Sequence, residues 1–246
     1  KQPKLSLTNI SENLNINRKI IVSLTSIPSR INNIIDTLET IRYQTFSVDE
    51  IVLSIPLKSQ REPSNLEDDY HLSDTLLYYI KSKNITIQRI DKDYGPSTKL
   101  LGVLEREMQM NTDTTKEPLI ITIDDDKLYD KDMVKWLIHG WNRNPDCAVS
   151  RVGSNITQSL TDNNLTEHIL KGCYMEDDES ADILFGYSGV LYRPSFFKKS
   201  IFDFNFKDKN FDVNKYFFID DIYISLYLKY FNISKKVICF SKNRIT

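Results

Sequence analysis

Two hydrophobic patterns, one typical of strands and one typical of helices, alternate along the first half of the chain. Short apolar or alternating runs predict strands at 19–24, 50–55, 84–90 and 119–123. Between these runs, apolar residues recur every three or four positions, as they do on one face of an amphipathic helix. Because strands alternate with amphipathic helices, we predict a mainly parallel sheet that is covered on both faces.

Capping residues and turns mark where these helices begin. We predict that Ser29 caps the first helix, that a second covers 72–80, and that Asp130 caps the fourth. The third follows a Gly-Pro turn and begins at Ser97 or Thr98. Each predicted helix thus follows a strand, the second one after a polar loop, which is typical of an α/β domain.

The second half of the chain is less regular. We predict strands at 147–152, 183–192 and 237–240, although two glycines interrupt the second of these runs. The segment 155–179 is polar and acidic and is predicted to be a connector. Apolar spacing predicts a last helix at 220–230.

Composition restricts the class of protein. The chain has 246 residues, enough for one large domain or two small ones, with 40% apolar and 27% charged residues. A net charge of −2 gives no reason to expect nucleic acid or an anionic membrane as a partner. No apolar run approaches the roughly 20 residues that span a bilayer. The three scattered cysteines argue against a disulfide framework or a zinc site.

The chain begins at Lys1 rather than at a methionine, so we expect that flanking domains or a leader belong to the full-length protein. The compartment stays open, with the cytoplasm slightly favoured.

Polar side chains follow the ends of three predicted strands, where open α/β sheets bind ligands. Thr25, Ser26 and Arg30 follow the first strand, and a base or ribose can contact the hydroxyls and backbone amides of this turn. Asp93 and Lys99 follow the third strand. A helix dipole disfavours cations at a helix start, so Arg30 and Lys99 indicate a bound diphosphate there.

Three consecutive acids, Asp124, Asp125 and Asp126, end the fourth strand. Residues two apart on extended backbone point the same way, so Asp124 and Asp126 can share one Mg²⁺ or Mn²⁺, particularly when a substrate diphosphate supplies other ligands. This predicts chemistry on a phosphorylated or nucleotide-linked substrate.

Simpler interpretations remain open for all of these residues. A triple-Asp turn can be merely solvated, and Asp125 is expected to be structural or solvated. Asp220 and Asp221 can be acids that favour the start of a helix without any chemical role. Arg30 and Lys99 can be surface partners of nearby acids.

Five segments in this order resemble the GT-A glycosyltransferases, which use nucleotide-sugar donors, and together they cover nearly the whole chain. The segments are IIVSLTSIPSRI at 20–31, DYGPSTKLLG at 93–102, DDD at 124–126, GYSGVLYRP at 186–194 and FFIDDIYISLYL at 217–228.

The resemblance implies a Rossmann-like three-layer α/β/α sandwich with a mainly parallel mixed central sheet. It implies one catalytic domain at 18–246, with a nucleotide-binding half at 18–126 and an acceptor-binding half at 127–246. Residues 1–17 are then a tail or peripheral segment.

The resemblance also implies a role for each candidate residue. Asp221 is the expected catalytic base and Asp220 supports it. Asp124 and Asp126 are the expected ligands of Mn²⁺ or Mg²⁺. The acceptor and sugar are expected to contact Tyr187, Ser188 and Gly189. The expected donor-binding residues are Thr25, Ser26, Arg30, Asp93, Lys99, Asp124 and Asp125.

The expected reaction is transfer of a sugar, with inversion, from a nucleoside-diphosphate donor such as a UDP-sugar. The acceptor is a hydroxyl of a glycan, a lipid-linked molecule or a protein. Many relatives place a histidine metal ligand late in the domain, but no histidine follows Asp221 here. The alternatives are a non-catalytic nucleotide-sugar or glycan-binding module and a sugar nucleotidyltransferase. The second would need a Gly-rich loop after the first strand, and residues 25–30 are not Gly-rich.

Overall fold

The computed structural model describes residues 16–110, 113–158, 165–204 and 219–240, so most of the predicted N-terminal tail lies outside the described residues. The strands in these ranges are β1 (Ile20–Leu24), β2 (Glu50–Pro56), β3 (Thr86–Ile90), β4 (Leu119–Thr122), β5 (Cys147–Ser150), β6 (Val152–Gln158), β7 (Leu165–Lys171), β8 (Glu179–Ser180), β9 (Ile183–Leu184), β10 (Val190–Tyr192) and β11 (Ser234–Val237). The α-helices are α1 (Ile35–Arg42), α2 (Asp74–Ser82), α3 (Thr98–Met110), α4 (Met133–Arg143) and α5 (Asp220–Tyr230).

Eight strands form one mixed sheet in the order β3-β2-β1-β4-β10-β5-β11-β8. Strands β1 to β4 are mutually parallel where they pair, and β5 pairs with β11 in parallel. Strand β10 runs antiparallel between β4 and β5, and β8 is antiparallel to β11. The predicted mainly parallel mixed sheet is therefore confirmed.

The sheet has a hydrophobic core on each face because successive strand residues point to opposite sides. Ile20 and Val22 of β1 pack in one core with the buried faces of α1, α2 and α4. Ile21, between them, packs in the other core with α3 and α5. The predicted three-layer arrangement is thus also confirmed.

The prediction that 155–179 is a connector is wrong, because this segment contributes strands to a second sheet. Strands β6 and β7 form an antiparallel hairpin, which joins β9 in a second, three-stranded sheet with the order β7-β6-β9. Every residue of β7 except Leu170 is exposed. A strand without a buried face shows no apolar alternation, so its sequence looks like that of a loop.

The prediction of one continuous strand at 183–192 is also wrong. It divides into β9 and β10, which belong to different sheets. Gly189 sits at the break with φ +85°, a conformation that favours glycine. The last strand lies earlier than predicted, at β11.

Two predicted helix caps are wrong because other groups bind those side chains. Ser29 donates from its backbone and its hydroxyl to Glu62, and α1 begins only at Ile35. Asp130 accepts from the backbone of Asp132, and α4 begins at Met133.

None of the helices in the described ranges has the length and apolar composition needed to cross a bilayer.

Candidate functional site

A cavity of about 210 Å³ lies beyond the carboxyl ends of β1 and β4. Because these strands are adjacent and parallel, the residues that follow them meet at one edge of the sheet. The cavity is lined by Thr25, Arg30, Arg61, Pro96, Lys99, Asp124, Asp125, Asp126 and Asp220. Seven of these nine are residues that the sequence predicted to be functional.

Lys99 lies between two of the carboxylates. Its Nζ is 2.6 Å from Asp124 Oδ1 and 2.8 Å from Asp220 Oδ2, and the side chain is only 4% exposed. Burial alone would lower the pKa of Lys99, but the negative charges of Asp220 and Asp124 outweigh it and raise that pKa well above its usual value. Lys99 is therefore a fixed cation that joins β4 to α5.

Arg30 makes the corresponding contacts with the other two acids of the triple-Asp run. Its guanidinium is 2.8 Å from Asp125 Oδ1 and 3.4 Å from Asp126 Oδ2. Asp125 is buried and also accepts from the Ser26 hydroxyl, and its backbone oxygen accepts from Thr37 Oγ1 at 2.9 Å. Burial raises the pKa of Asp125 even though Ser26 and Arg30 act against the shift. Asp125 therefore anchors the turn.

Several buried polar atoms of the cavity lining have no hydrogen-bond partner within the described parts of the chain. They are Oγ1 of Thr25, Nε of Arg30 and Nε of Arg61; Oδ2 of Asp220, a fourth such atom, has its ion pair with Lys99. Buried polar groups in folded proteins are nearly always hydrogen-bonded, and leaving one unpaired costs about 1–3 kcal/mol. Their convergence on one cavity is typical of a site that binds a polar ligand.

Asp221 lies next to this cluster at the start of α5. Its Oδ1 accepts from the Gly186 backbone N–H at 2.8 Å. Burial, together with the nearby charge of Asp220, raises the pKa of Asp221 to about 7, although Lys99 opposes the shift. A carboxyl group with a pKa near neutrality can accept a proton in its charged form and still hold it, which suits a general base.

The segment from Gly186 to Gly189 covers the carboxylate cluster on one side. A Cβ atom at position 186 would lie 2.9 Å from Asp221 Oδ1 and 3.0 Å from Lys99 Nζ, so any larger residue there would displace these side chains. Ser188 is buried with its Oγ 2.9 Å from Ser150 Oγ, whereas Tyr187 is 43% exposed. Of the three predicted acceptor residues, Tyr187 is therefore the one whose side chain reaches solvent.

Besides Ser188, three predicted donor or acceptor residues are buried away from the cavity lining. Ser26 supports Asp125, and Gly189 packs under Met133 and Leu137. Asp93 is 4% exposed and accepts from the backbone N–H groups of Gln60 and Gly95, both at 2.7 Å. Their contact with a substrate stays a prediction.

Arg61, Tyr129 and Gly186 belong to the site but were not predicted as functional. Arg61 lies in the polar loop between β2 and α2, and its position depends on contacts that are distant in sequence. The Tyr129 hydroxyl accepts from the Asp124 N–H at 2.8 Å. The apolar sequence around Gly186 gives a reason for a strand break, but not for a close approach to Asp221.

The donor chemistry at the cavity fits a hard divalent cation. Asp124 and Asp126 both line it, and carboxylate oxygens are preferred ligands of Mg²⁺ and Mn²⁺. Within the described residues, no group of three or more histidine, cysteine or acidic side chains is arranged to hold a metal ion. The chain would therefore supply two carboxylates, and a diphosphate would have to supply further ligands.

No known family model and no curated protein matches the sequence. Among solved structures, residues 1–349 of S. aureus TarS are similar, with a TM-score of 0.48 and 14% identity over 89% of this chain and 57% of that chain. The chain thus spans less than two thirds of that structure. We therefore base the function on the residues of the cavity.

Proposed function

We propose that this chain is a metal-dependent glycosyltransferase with a GT-A fold, which moves a sugar from a nucleoside diphosphate, such as UDP, to an acceptor hydroxyl. We further propose that the anomeric centre is inverted. The observation that carries the proposal is the cavity itself. Cations, carboxylates and unpaired buried polar atoms converge there beyond the ends of β1 and β4, beside a carboxyl group with a raised pKa.

The charge of the cavity supports the need for a divalent cation. Its lining carries three cations and four carboxylates, so its formal charge is slightly negative. A nucleoside diphosphate sugar adds about two negative charges, and like charges confined in a poorly solvated site repel one another. A bound Mn²⁺ or Mg²⁺ would offset the charge that develops on the departing diphosphate.

Residues of the chain hold the site in shape and contact the donor and the acceptor. Lys99 and Arg30 keep the Asp124–Asp126 turn in place, and Thr25 Oγ1 is available to a polar group of the donor. Because the Gly186 N–H binds Oδ1 of Asp221, we assign the acceptor's proton to the other oxygen of that carboxylate.

The proposed reaction is a single displacement. The acceptor oxygen bonds to the anomeric carbon while its proton passes to Asp221. At the same time the bond between that carbon and the diphosphate oxygen breaks, and its electron pair leaves with the diphosphate. One catalytic carboxylate would suffice because a diphosphate whose charge is offset by a cation held at Asp124 and Asp126 would not need to be protonated, unlike the leaving group of a glycosidase.

The test is hydrolysis or transfer from a panel of nucleoside diphosphate sugars with Mn²⁺ present. We expect wild-type turnover on at least one donor. The doubly substituted Asp124→Ala/Asp126→Ala protein should lose about 10³-fold or more, since both proposed metal ligands are gone. Its far-UV circular dichroism should match the wild type. Full turnover by a folded double variant would contradict the proposal.

A nucleotide-sugar or glycan-binding module without catalytic activity gives a different pattern in the same assay. Such a module would bind a nucleoside diphosphate but turn over no donor with any acceptor. Substituting Asp221 would then leave every measured property of the site unchanged.

A further inference from the structure

The loop between β2 and α2 carries a cation whose charge is not already neutralised. Arg61 lines the cavity, and its Nε is buried without a hydrogen-bond partner among the described residues. Its Nη2 makes one long contact, 3.5 Å to the backbone oxygen of Ser26. Arg30 and Lys99, by contrast, each form salt bridges with two carboxylates. Within the described cavity lining, Arg61 is therefore the cation that is free to bind an anion.

The residues on both sides of Arg61 are fixed to the rest of the domain. On one side, Gln60 donates its backbone N–H to Asp93 Oδ2 at 2.7 Å and its side-chain amide to Asp93 O at 3.1 Å. On the other side, Glu62 accepts from the N–H and the hydroxyl of Ser29, at 2.8 and 2.7 Å. Asp93 follows β3 and Ser29 follows β1, the two strands that flank β2, so the two attachments hold the loop after β2 to the strand ends on either side of it.

The base of the same loop is closed by Asp69. Its carboxylate accepts from the backbone N–H groups of Ser59 and Ser64, at 2.7 and 3.1 Å, and lies 3.2 Å from Lys58 Nζ. The Ser64 hydroxyl makes the largest contribution to lowering the pKa of Asp69 to about 2. The loop is therefore shaped by its own contacts before any ligand arrives, which reduces the entropy lost on binding.

We infer that Arg61 binds a phosphate group of the donor, and that Asp93 and Glu62 are positioning residues that act through it. The inference rests on the proposed function and assigns this loop to the diphosphate of the same site. A guanidinium can donate two parallel hydrogen bonds to a phosphate, and a cation without a carboxylate partner loses no salt bridge when it does so. Asp93 then influences the donor through Gln60 and Arg61, without touching the nucleoside.

The first experiment is calorimetric titration of UDP, GDP and ADP, each with Mn²⁺, followed by the nucleoside of the tightest ligand. We expect Arg61→Gln to weaken nucleoside diphosphate binding by about 10- to 100-fold, in line with hydrogen bonds to charged groups. Affinity for the nucleoside should not change. Arg42→Gln is the matched control, because Arg42 lies on α1 outside the cavity lining and forms its salt bridge with Glu39.

The second experiment separates positioning from general structural damage by a double-mutant cycle. Glu62→Ala should weaken nucleoside diphosphate binding by about three- to tenfold in the wild-type background. In the Arg61→Gln background it should have no further effect, because the side chain that it positions is gone. Glu62 is preferred to the buried Asp93 because its removal leaves the interior intact.

The outcomes distinguish this inference from the function on which it rests. If the wild type binds no nucleoside diphosphate, both are overturned. If the wild type binds and Arg61→Gln binds equally well, the inference is overturned and the proposed function stands. Equal losses for nucleoside and nucleoside diphosphate would place Arg61 on the nucleoside and overturn the phosphate assignment. Additive losses in the cycle would overturn the positioning role of Glu62.

Discussion

The two edges of the central sheet both carry clustered charges, but they differ in how completely those charges are paired. At the amino-terminal edge, Glu117 accepts from Arg193 Nε at 2.6 Å and from Ser195 at 2.7 Å, and Glu50 binds Arg106 and Lys19. Among the described residues, no buried nitrogen or oxygen of these side chains lacks a partner.

At the carboxyl-terminal edge, buried polar atoms of Thr25, Arg30 and Arg61 have no hydrogen-bond partner among the described residues. In the described part of the chain, the charged side chains named at the first edge are thus fully paired, whereas these three at the second edge are not. The first arrangement stabilises the fold, and the second is stabilised only when a ligand completes it. This difference locates the site without reference to any motif.

Glu50 and Asp221, one at each edge, have pKa values that are shifted in opposite directions. Burial would raise the pKa of Glu50, but hydrogen bonds from Arg106, Lys19 and Thr86 outweigh it and lower that pKa to about 2. Glu50 therefore stabilises the fold above its unfolded pKa near 4.5, and this contribution is lost as the pH falls toward 2. Asp221 has a raised pKa, so its contribution is present at low pH and is lost as the pH rises through about 7.

Among the variants that test this comparison, Asp221→Asn should have the largest effect on activity. Asparagine keeps an oxygen for the Gly186 N–H but cannot accept a proton, so transfer should fall by about 10³-fold. Wild-type turnover should rise with pH up to about 7 as the carboxylate forms, and the variant should lose that limb. Steady-state rates from pH 5 to 9 give both results.

The same variant should be more stable than the wild type. Removing a buried carboxylate whose folded pKa is raised relieves a cost that grows from pH 4 to about 7, so the melting temperature should rise more at pH 8 than at pH 5. A variant that lost both activity and stability at pH 8 would show that Asp221 is a structural acid, like those of the other edge.

Breaking a contact of the amino-terminal edge should lower stability and leave nucleotide binding unchanged. Glu117→Ala leaves the largely buried Arg193 with the exposed Asp146 as its remaining carboxylate partner in the described structure, which should cost about 3 kcal/mol of unfolding free energy in urea. Nucleoside diphosphate affinity of the folded fraction should not change. Lys229→Gln, which removes an exposed pair with Asp182, should cost less than about 0.5 kcal/mol. Loss of nucleotide affinity in Glu117→Ala would mean that the two edges are coupled.

How far the sequence predicts the fold depends on burial. Strands β1, β2 and β4 are buried almost throughout, so unbroken apolar runs marked them correctly. The β6–β7 hairpin was missed because most of its residues are exposed, so its few apolar residues do not mark a buried face. Where no face is buried, pairing is set by contacts that a local pattern does not contain.

The site shows the same limit. Asp124, Asp126 and Lys99 were predicted because they directly follow strands or begin a helix, and parallel strands bring such positions together. Arg61 follows a strand only after a loop, and its place depends on Gln60 reaching Asp93 and Glu62 reaching Ser29, each 33 positions away. A pattern in sequence locates strand ends, whereas these long-range contacts place the loop.

The smallest predicted effect concerns two threonines of similar burial, of which only one has a hydrogen-bond partner for its hydroxyl among the described residues. Thr25 is 6% exposed and its Oγ1 has no partner among the described residues, whereas Thr37 is 3% exposed and donates to Asp125 O at 2.9 Å. Valine has nearly the shape of threonine. Thr25→Val should therefore raise the unfolding free energy by about 1 kcal/mol, because it removes an unpaired buried hydroxyl.

Thr37→Val should instead lower the unfolding free energy by about 1 kcal/mol, because it breaks a hydrogen bond and leaves the Asp125 carbonyl unpaired. Urea unfolding of both variants, at pH 7 and without nucleotide, measures the difference. Thr25→Val should also bind nucleoside diphosphate a few-fold more weakly, since its hydroxyl is then missing from the cavity. Equal destabilisation of the two variants would show that the Thr25 hydroxyl is already satisfied, and that the carboxyl-terminal edge is as complete as the other.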